Sequence, residues 1–337
     1  MDTVTHTLLG AAIGEVILGN KIGRKALFYG ALMSNLPDID VLGVFFLSDS
    51  KQLLFHRGIT HSLFFIILIS ILLGWLTQFW IKDYRITWMS WTKLFLITML
   101  SHLMLDSLTC YGMGLFEPFS HYRISFNIFF VADPFYTLPL LIGVIVPFIG
   151  KRDSKRTVKW NSIGLSISSC YLIFAIIIHN YVFQVTEGSF KEQKLISDDF
   201  TVTPTPLNTF LWMAYSHDKK GSWIGYYSIF DENKKIYFQR QERNDSLLIP
   251  FEKDQVVKNL KLLSKGNYFI SKEDSIVYFN DIRFGQVSGW DKAKDEPYAF
   301  KFNLNKSADN KRALNRIKFK ESTYEWFASL VNRIKGK

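Results

Sequence analysis

The sequence predicts an α-helical polytopic membrane domain, about residues 1–184, followed by a soluble α+β domain, about residues 186–337. Three observations predict it. Long apolar runs occupy only the first half of the chain. Short aromatic and β-branched runs separated by turn residues occupy the second. Mean hydropathy stays only slightly positive although 48% of the residues are hydrophobic and 16% aromatic, as expected when a membrane part is joined to a water-facing part.

Apolar segments lie at about residues 4–19, 26–47, 62–81, 92–108, 134–150 and 160–184. The third, SLFFIILISILLGWLTQFWI, runs without a charge for the length needed to cross a bilayer core. The first, second and fourth carry Glu15, Asp38, Asp40, His102 and Asp106, and Pro37 should break the second locally. Basic residues mark three loops: Lys21, Arg24 and Lys25; Lys82, Arg85 and Lys93; and Lys151, Arg152, Lys155, Arg156 and Lys159. If all six segments cross, these loops share the cytoplasmic face. The 48–61 loop, the 109–133 loop and the part after residue 184 then face outward. The opening MDTVTH has an acid and no basic stretch, unlike a cleavable signal.

Beyond residue 186, TFLWMAYSHD, SWIGYYSIF, KIYFQRQE, NYFISKEDSIVYFNDIRFG and EPYAFKFNL read as strands of a mainly antiparallel domain. Residues 251–264 have helical spacing, and 309–335 could supply a closing helix. The net charge of +10 comes without any nucleic-acid-binding signature, so a basic surface beside anionic lipid explains it better than nucleic acid. Cys110 and Cys170 are too few for a disulfide framework or thiolate metal site, and Cys170 reads as inert packing.

The chemistry-bearing residues gather on one side of this topology. His6 opens the first segment, Asp38 and Asp40 sit in SNLPDID, His56 and His61 in FHRGITHS, and His102 and Asp106 in SHLMLD. Ionisable residues in membrane segments are costly and mark functional interiors. His102 and Asp106 are four apart, share a helix face and can grip one ion. Gly58 bends the chain between His56 and His61, and Thr60 could cap a helix starting at His61. Imidazoles and carboxylates without thiolates suit zinc, manganese or ferrous iron, as one ion or a pair. Such ions activate water for hydrolysis. Asp40 is a candidate to orient or deprotonate that water, and Arg57 and Arg123 are candidates to bind an anionic substrate. Blander readings suit other residues: packing for His179, a turn for His217, a helix cap for Asp133, an internal hydrogen-bond partner for Glu15. His121 stands on the proposed active face.

The ordered set MDTVTHTLLGAAIGE, SNLPDID, FHRGITHS, SHLMLDSLTCYG, EPFS and ADPFY resembles the membrane-bound metal-dependent hydrolase family that includes the YdjM-like proteins, over about residues 1–140. The resemblance implies an inner-membrane hydrolase with metal roles for His6, Asp38, His56, His61, His102 and Asp106. A fainter resemblance to zinc-dependent phospholipases C and P1-type nucleases favours phosphoester chemistry. The chain departs from them in having no mature N-terminal Trp ligand and no His-x-x-x-Glu pair, which argues for one or two ions rather than three. The resulting expectation is a multi-pass, zinc-dependent hydrolase acting on a lipid or lipid-linked phosphoester at the outer interface. A metal transporter and a non-catalytic metal-binding sensor are the rivals.

Overall fold

A computed structural model describes residues 1–47, 49–81, 85–146, 154–195, 199–290, 298–305, 314–315 and 323–336. Its helical N-terminal region is followed by a sheet-rich region, and the chain divides into two compact units. The first comprises Met1–Leu42, Phe55–Ile176 and Pro206–Asn208; the second comprises Gly43–Leu54, Ile177–Thr205 and Thr209–Lys337.

In the first unit, α1 (Thr3–Ile22) starts where Asp2 accepts a hydrogen bond from the Thr5 amide at 2.9 Å. It packs against α2 (Lys25–Ser34) through facing small residues. A Cβ on Gly14 would lie 2.1 Å from the Ala26 carbonyl oxygen, and one on Gly30 would lie 2.0 Å from that of Gly10. The two backbones therefore touch directly, a packing that only small residues permit. Asn35 locks the end of α2 by donating to the Thr7 hydroxyl at 2.9 Å and the Ala31 carbonyl at 2.8 Å.

The expected second crossing is not one helix. After α2 the chain runs as a 3-10 segment, Leu36–Phe45, because Pro37 lacks the amide that an α-helix would need there. The short α3 (Asp49–Phe55) follows. Next, α4 (Leu63–Ile81) begins after a 3-10 turn, Ile59–His61. Ser62, not Thr60, caps it, accepting from the Phe65 amide at 3.1 Å. α5 (Trp88–Ser107) packs against α4 around Ile66, Trp91, Leu94, Phe95 and Met99. α6 (Pro134–Ile145) is capped by Asp133, whose carboxylate accepts from the Phe135 amide at 2.9 Å and the Tyr171 hydroxyl at 2.9 Å. Glu15 is buried on α1. α7 (Ser154–Glu192) runs unbroken through residues 184–186, where the sequence predicts the domain boundary.

Two helices, α4 and α7, are long and apolar enough to cross a membrane. In each, only 17% of the apolar window is buried, unlike the core helix of a water-soluble protein. Bare Phe64, Leu68, Leu72, Trp75 and Phe79 give α4 an outer surface suited to lipid. The other four expected segments do not meet this test among the described residues: α1 and α5 are long enough but not apolar enough, α2 has 10 residues and α6 has 12. Cys170 is exposed on α7 rather than packed, whereas Cys110 is buried. Lys82, Lys151 and Arg152 lie outside the described residues.

The second unit holds two four-stranded antiparallel sheets. The first orders β1 (Phe200–Pro204), β2 (Leu211–His217), β3 (Gly221–Ser228) and β4 (Gln239–Glu242) as a meander. Its register sets Trp212 opposite Tyr227 and Ala214 opposite Gly225, and Val182, Trp212, Ala214, Tyr227 and Ile236 form one core. α8 (Gln255–Ser264) precedes the second meander of β5 (Tyr268–Glu273), β6 (Ile276–Gln286), β7 (Tyr298–Asn303) and β8 (Leu314–Asn315). Val257, Leu260, Ile270, Phe279 and Phe302 fill the core between α8 and that sheet. α9 (Thr323–Ile334) is the described part of the closing helix expected at 309–335; residues 309–313 and 316–322 lie outside the described residues.

Candidate metal centre

The first unit brings the loop FHRGITHS against the end of α5. On α5 the four-residue spacing works as the helix repeat demands: His102 Nε2 lies 3.6 Å from Asp106 Oδ2. The 3-10 turn delivers His61 Nε2 to 3.2 Å from His102 Nε2 and 3.5 Å from Asp106 Oδ2. The 3-10 segment after α2 contributes Asp38, with Oδ1 at 3.4 Å from His61 Nε2 and 3.7 Å from His102 Nε2. All four residues offer ligand atoms within 4.8 Å of one another.

Those distances test whether a metal fits. A tetrahedral ion with ligands at about 2.0–2.2 Å sets its ligand atoms about 3.3–3.6 Å apart. The five separations given above, from 3.2 to 3.7 Å, straddle that range. Four lone-pair atoms facing one another repel unless a cation or proton lies among them. Burial alone would push the His61 imidazole down, but hydrogen bonding to Asp106, Asp38 and Asp40 overcomes it and lifts the pKa to about 10. A proton on His61 thus balances charge that a divalent ion could also balance.

A second group, Asp38, Asp40 and His56, adjoins the first and shares Asp38 with it. Asp40 Oδ1 lies 2.7 Å from His56 Nδ1, and its Oδ2 accepts from the Arg57 amide and the Thr60 hydroxyl, both at 2.8 Å. The same Oδ2 sits 3.4 Å from His61 Nδ1, the nitrogen facing away from the four-atom set. That is the carboxylate–histidine arrangement that fixes the ring tautomer of metal ligands. The His56 side chain is 25% exposed and that of Asp38 19%, whereas His61, His102 and Asp106 are fully buried.

Other predicted residues support rather than enter these groups. His6 stacks on His102 with ring centroids 3.7 Å apart and places Nε2 3.2 Å from Asp106 Oδ1. Arg57, expected to meet an anionic substrate, is 4% exposed and aims its guanidinium at Asp106, with Nε 3.0 Å from Oδ2 and Nη2 3.1 Å from Oδ1. It also donates to the Thr109 hydroxyl at 2.9 Å and lies over the Tyr111 ring. Its backbone takes φ of 61°, so Arg57, not Gly58, adopts the left-handed bend. That conformation disfavours a side-chain-bearing residue by about 1–2 kcal/mol, and the hydrogen bond from the Arg57 amide to Asp40, with the ion pair to Asp106, offsets it. Arg123 donates to the His56 and Gly112 carbonyls, at 2.8 and 3.1 Å, and so braces the loop.

Sequence reasoning missed the amino group of Met1, which pairs with Asp106 in the buried site, and Thr109 and Tyr111 around Arg57. No local pattern signals contacts across 105 residues of chain. Three further histidines lie elsewhere: His121 is exposed and bonded to Glu117, His179 packs on Trp212, and His217 bonds Asn267 at the end of β2.

The inner membrane protein YbcI of Escherichia coli (strain K12) is 33% identical over 112 residues, which are 33% of this chain and 62% of that protein. The chain thus matches less than two thirds of that relative's length. No solved structure matches the chain. The model of the YdjM inner membrane protein family matches residues 1–182, more than half of the sequence, and the chain belongs to that family.

Proposed function

We propose that this protein is a multi-pass, metal-dependent hydrolase of the inner membrane, acting on a phosphoester of a lipid or lipid-linked molecule. The observation that carries the reading is the pairing of a closed, tetrahedrally spaced ligand set with a second, more exposed set that shares Asp38. Four protein ligands complete a zinc shell, whereas a catalytic site keeps a position open. The inner set, Asp38, His61, His102 and Asp106, is therefore assigned a permanently held ion, zinc by its ligand types. The outer set, Asp38, Asp40 and His56, is assigned an exchangeable ion facing the substrate. A divalent ion there would supply Lewis acidity and a more acidic water at neutral pH.

The chain's own residues have separate tasks in this reading. Asp38 joins the two sets. Asp40 holds the His56 and His61 rings by their Nδ1 atoms, a positioning role that its three accepted hydrogen bonds favour over proton abstraction. His6, Arg57 and the Met1 amino group steady Asp106 so that Oδ2 faces the inner set. Six crossings with the site and sheet-rich unit outside remain the topology that the basic loops support. The outer position and lipid substrate follow from that topology.

The closed inner set also favours a second reading, a structural metal in a non-catalytic sensor. Purified protein in detergent, loaded with zinc and assayed on phospholipids and generic phosphodiesters, separates the two. The hydrolase reading predicts turnover that His56→Ala abolishes while the inner ion stays bound. Turnover unaffected by His56→Ala would sink the assignment, and no turnover on any phosphoester would favour the sensor. A C-terminal reporter active only in the cytoplasm would overturn the outward topology.

A further inference from the structure

The second unit contains a pocket of about 720 Å3, within the range of about 300–1,000 Å3 that small-molecule sites occupy. It is formed by β3, β4, the connection between them, the end of β6 and the end of α9. None of the metal-centre residues lines it.

Lys235, Arg240 and Arg333 line the pocket, which would suggest an anion. Each is already ion-paired within the unit. Lys235 lies 2.5 Å from Glu192; Arg240 grips Asp218 through two bonds of 2.8 Å; Arg333 grips Asp231 through bonds of 2.6 and 2.8 Å. Arg240 in turn holds the Asp218 carboxyl well below the usual range. A phosphate or carboxylate ligand would have to compete with bidentate partners at the two arginines and with Glu192 at Lys235, all of them part of the same chain. The positive charge is therefore internally matched.

Apart from the exposed carboxylate of Glu232, what remains is neutral and amphipathic. Asn233, Gln239, Gln241 and Gln286 present four carboxamides, each both donor and acceptor. Tyr226, Tyr237, Trp290 and Tyr298 add aromatic surface, with Tyr237 62% exposed and Trp290 and Tyr298 buried in the wall. Groups that donate and accept match hydroxyls, which do both, and flat aromatic faces match the C–H faces of a ring. We propose that this pocket binds a neutral saccharide, with its ring against Tyr237 and its hydroxyls on the carboxamides.

Saturation-transfer NMR on the full chain, in a detergent without a sugar headgroup, tests this. The probes are maltotriose, N,N′-diacetylchitobiose, glucose 6-phosphate and glucosamine. The expected result is transfer to at least one neutral oligosaccharide, weakened about 2-fold to 10-fold by Tyr237→Ala, the range for loss of one aromatic contact. Gln239→Ala, also at an exposed position, should weaken it as well. No transfer to either neutral oligosaccharide would overturn the proposal. So would stronger binding of glucose 6-phosphate or glucosamine, or neutral-sugar binding that both variants leave unchanged.

Discussion

The two ligand sets share a residue yet differ in almost everything else. The inner set is buried, has four donors, and is braced from behind by His6, Arg57 and the Met1 amino group. The outer set has three donors, two of them half-exposed, and stands on a loop and a 3-10 segment. Burial and full coordination suit retention of an ion; exposure and an open position suit exchange and contact with substrate. One loop, FHRGITHS, serves both: His61 turns inward, His56 outward, and the left-handed bend at Arg57 lies between them.

The largest effect should come from the inner set. His102→Ala is expected to lower metal affinity by more than the roughly 100-fold typical of losing an outer-shell partner. Competition with a fluorescent zinc chelator would measure it, and a smaller loss would make the inner set no better than the outer. Asp40→Asn should cost about 10-fold to 100-fold by freeing the His61 and His56 rings, read in the same titration. His6→Phe keeps a ring against His102 but removes the bond to Asp106, and about 10-fold is expected from that outer-shell loss.

Proton competition gives a smaller, graded effect. His61 without metal has a pKa of about 10, so below that value an ion must displace its proton. Apparent affinity should therefore rise with pH between 6 and 9, by up to about tenfold per unit. A flat profile would remove His61 from the ligand set. His56→Ala should have the least effect on the tightly held ion, leaving one equivalent bound by elemental analysis; loss of that equivalent would merge the two sets into one.

What the sequence revealed of this site followed the range of the interactions. His102 and Asp106 were legible as a pair because a helix repeats every 3.6 residues, and the bond geometry matches. The clustering of Asp38, His56 and His61 with them was legible from residue type and order. Their division into inner and outer groups was not, because it depends on where the 3-10 segment and turn place each ring. Arg57 is the plainest case: its charge suggested a substrate anion, and only the fold shows Asp106 as its partner. In the helices, the Gly10-x-x-x-Gly14 spacing could have revealed the α1–α2 contact. FTVTP, absent from the expected strands, forms β1, and KIYFQRQE forms strand only from Gln239. The pocket in the second unit joins residues from Ile224 to Gly336 and has no local signature at all.

In the proposed arrangement Asp38, His61, His102 and Asp106 hold one tetrahedral ion. X-ray absorption on the protein loaded with one equivalent of zinc tests it most directly. The predicted spectrum has four nitrogen and oxygen ligands at about 2.0–2.2 Å with imidazole scattering, and His102→Ala weakens that scattering. A six-oxygen shell without imidazole, or a spectrum unchanged by His102→Ala, would contradict the claim.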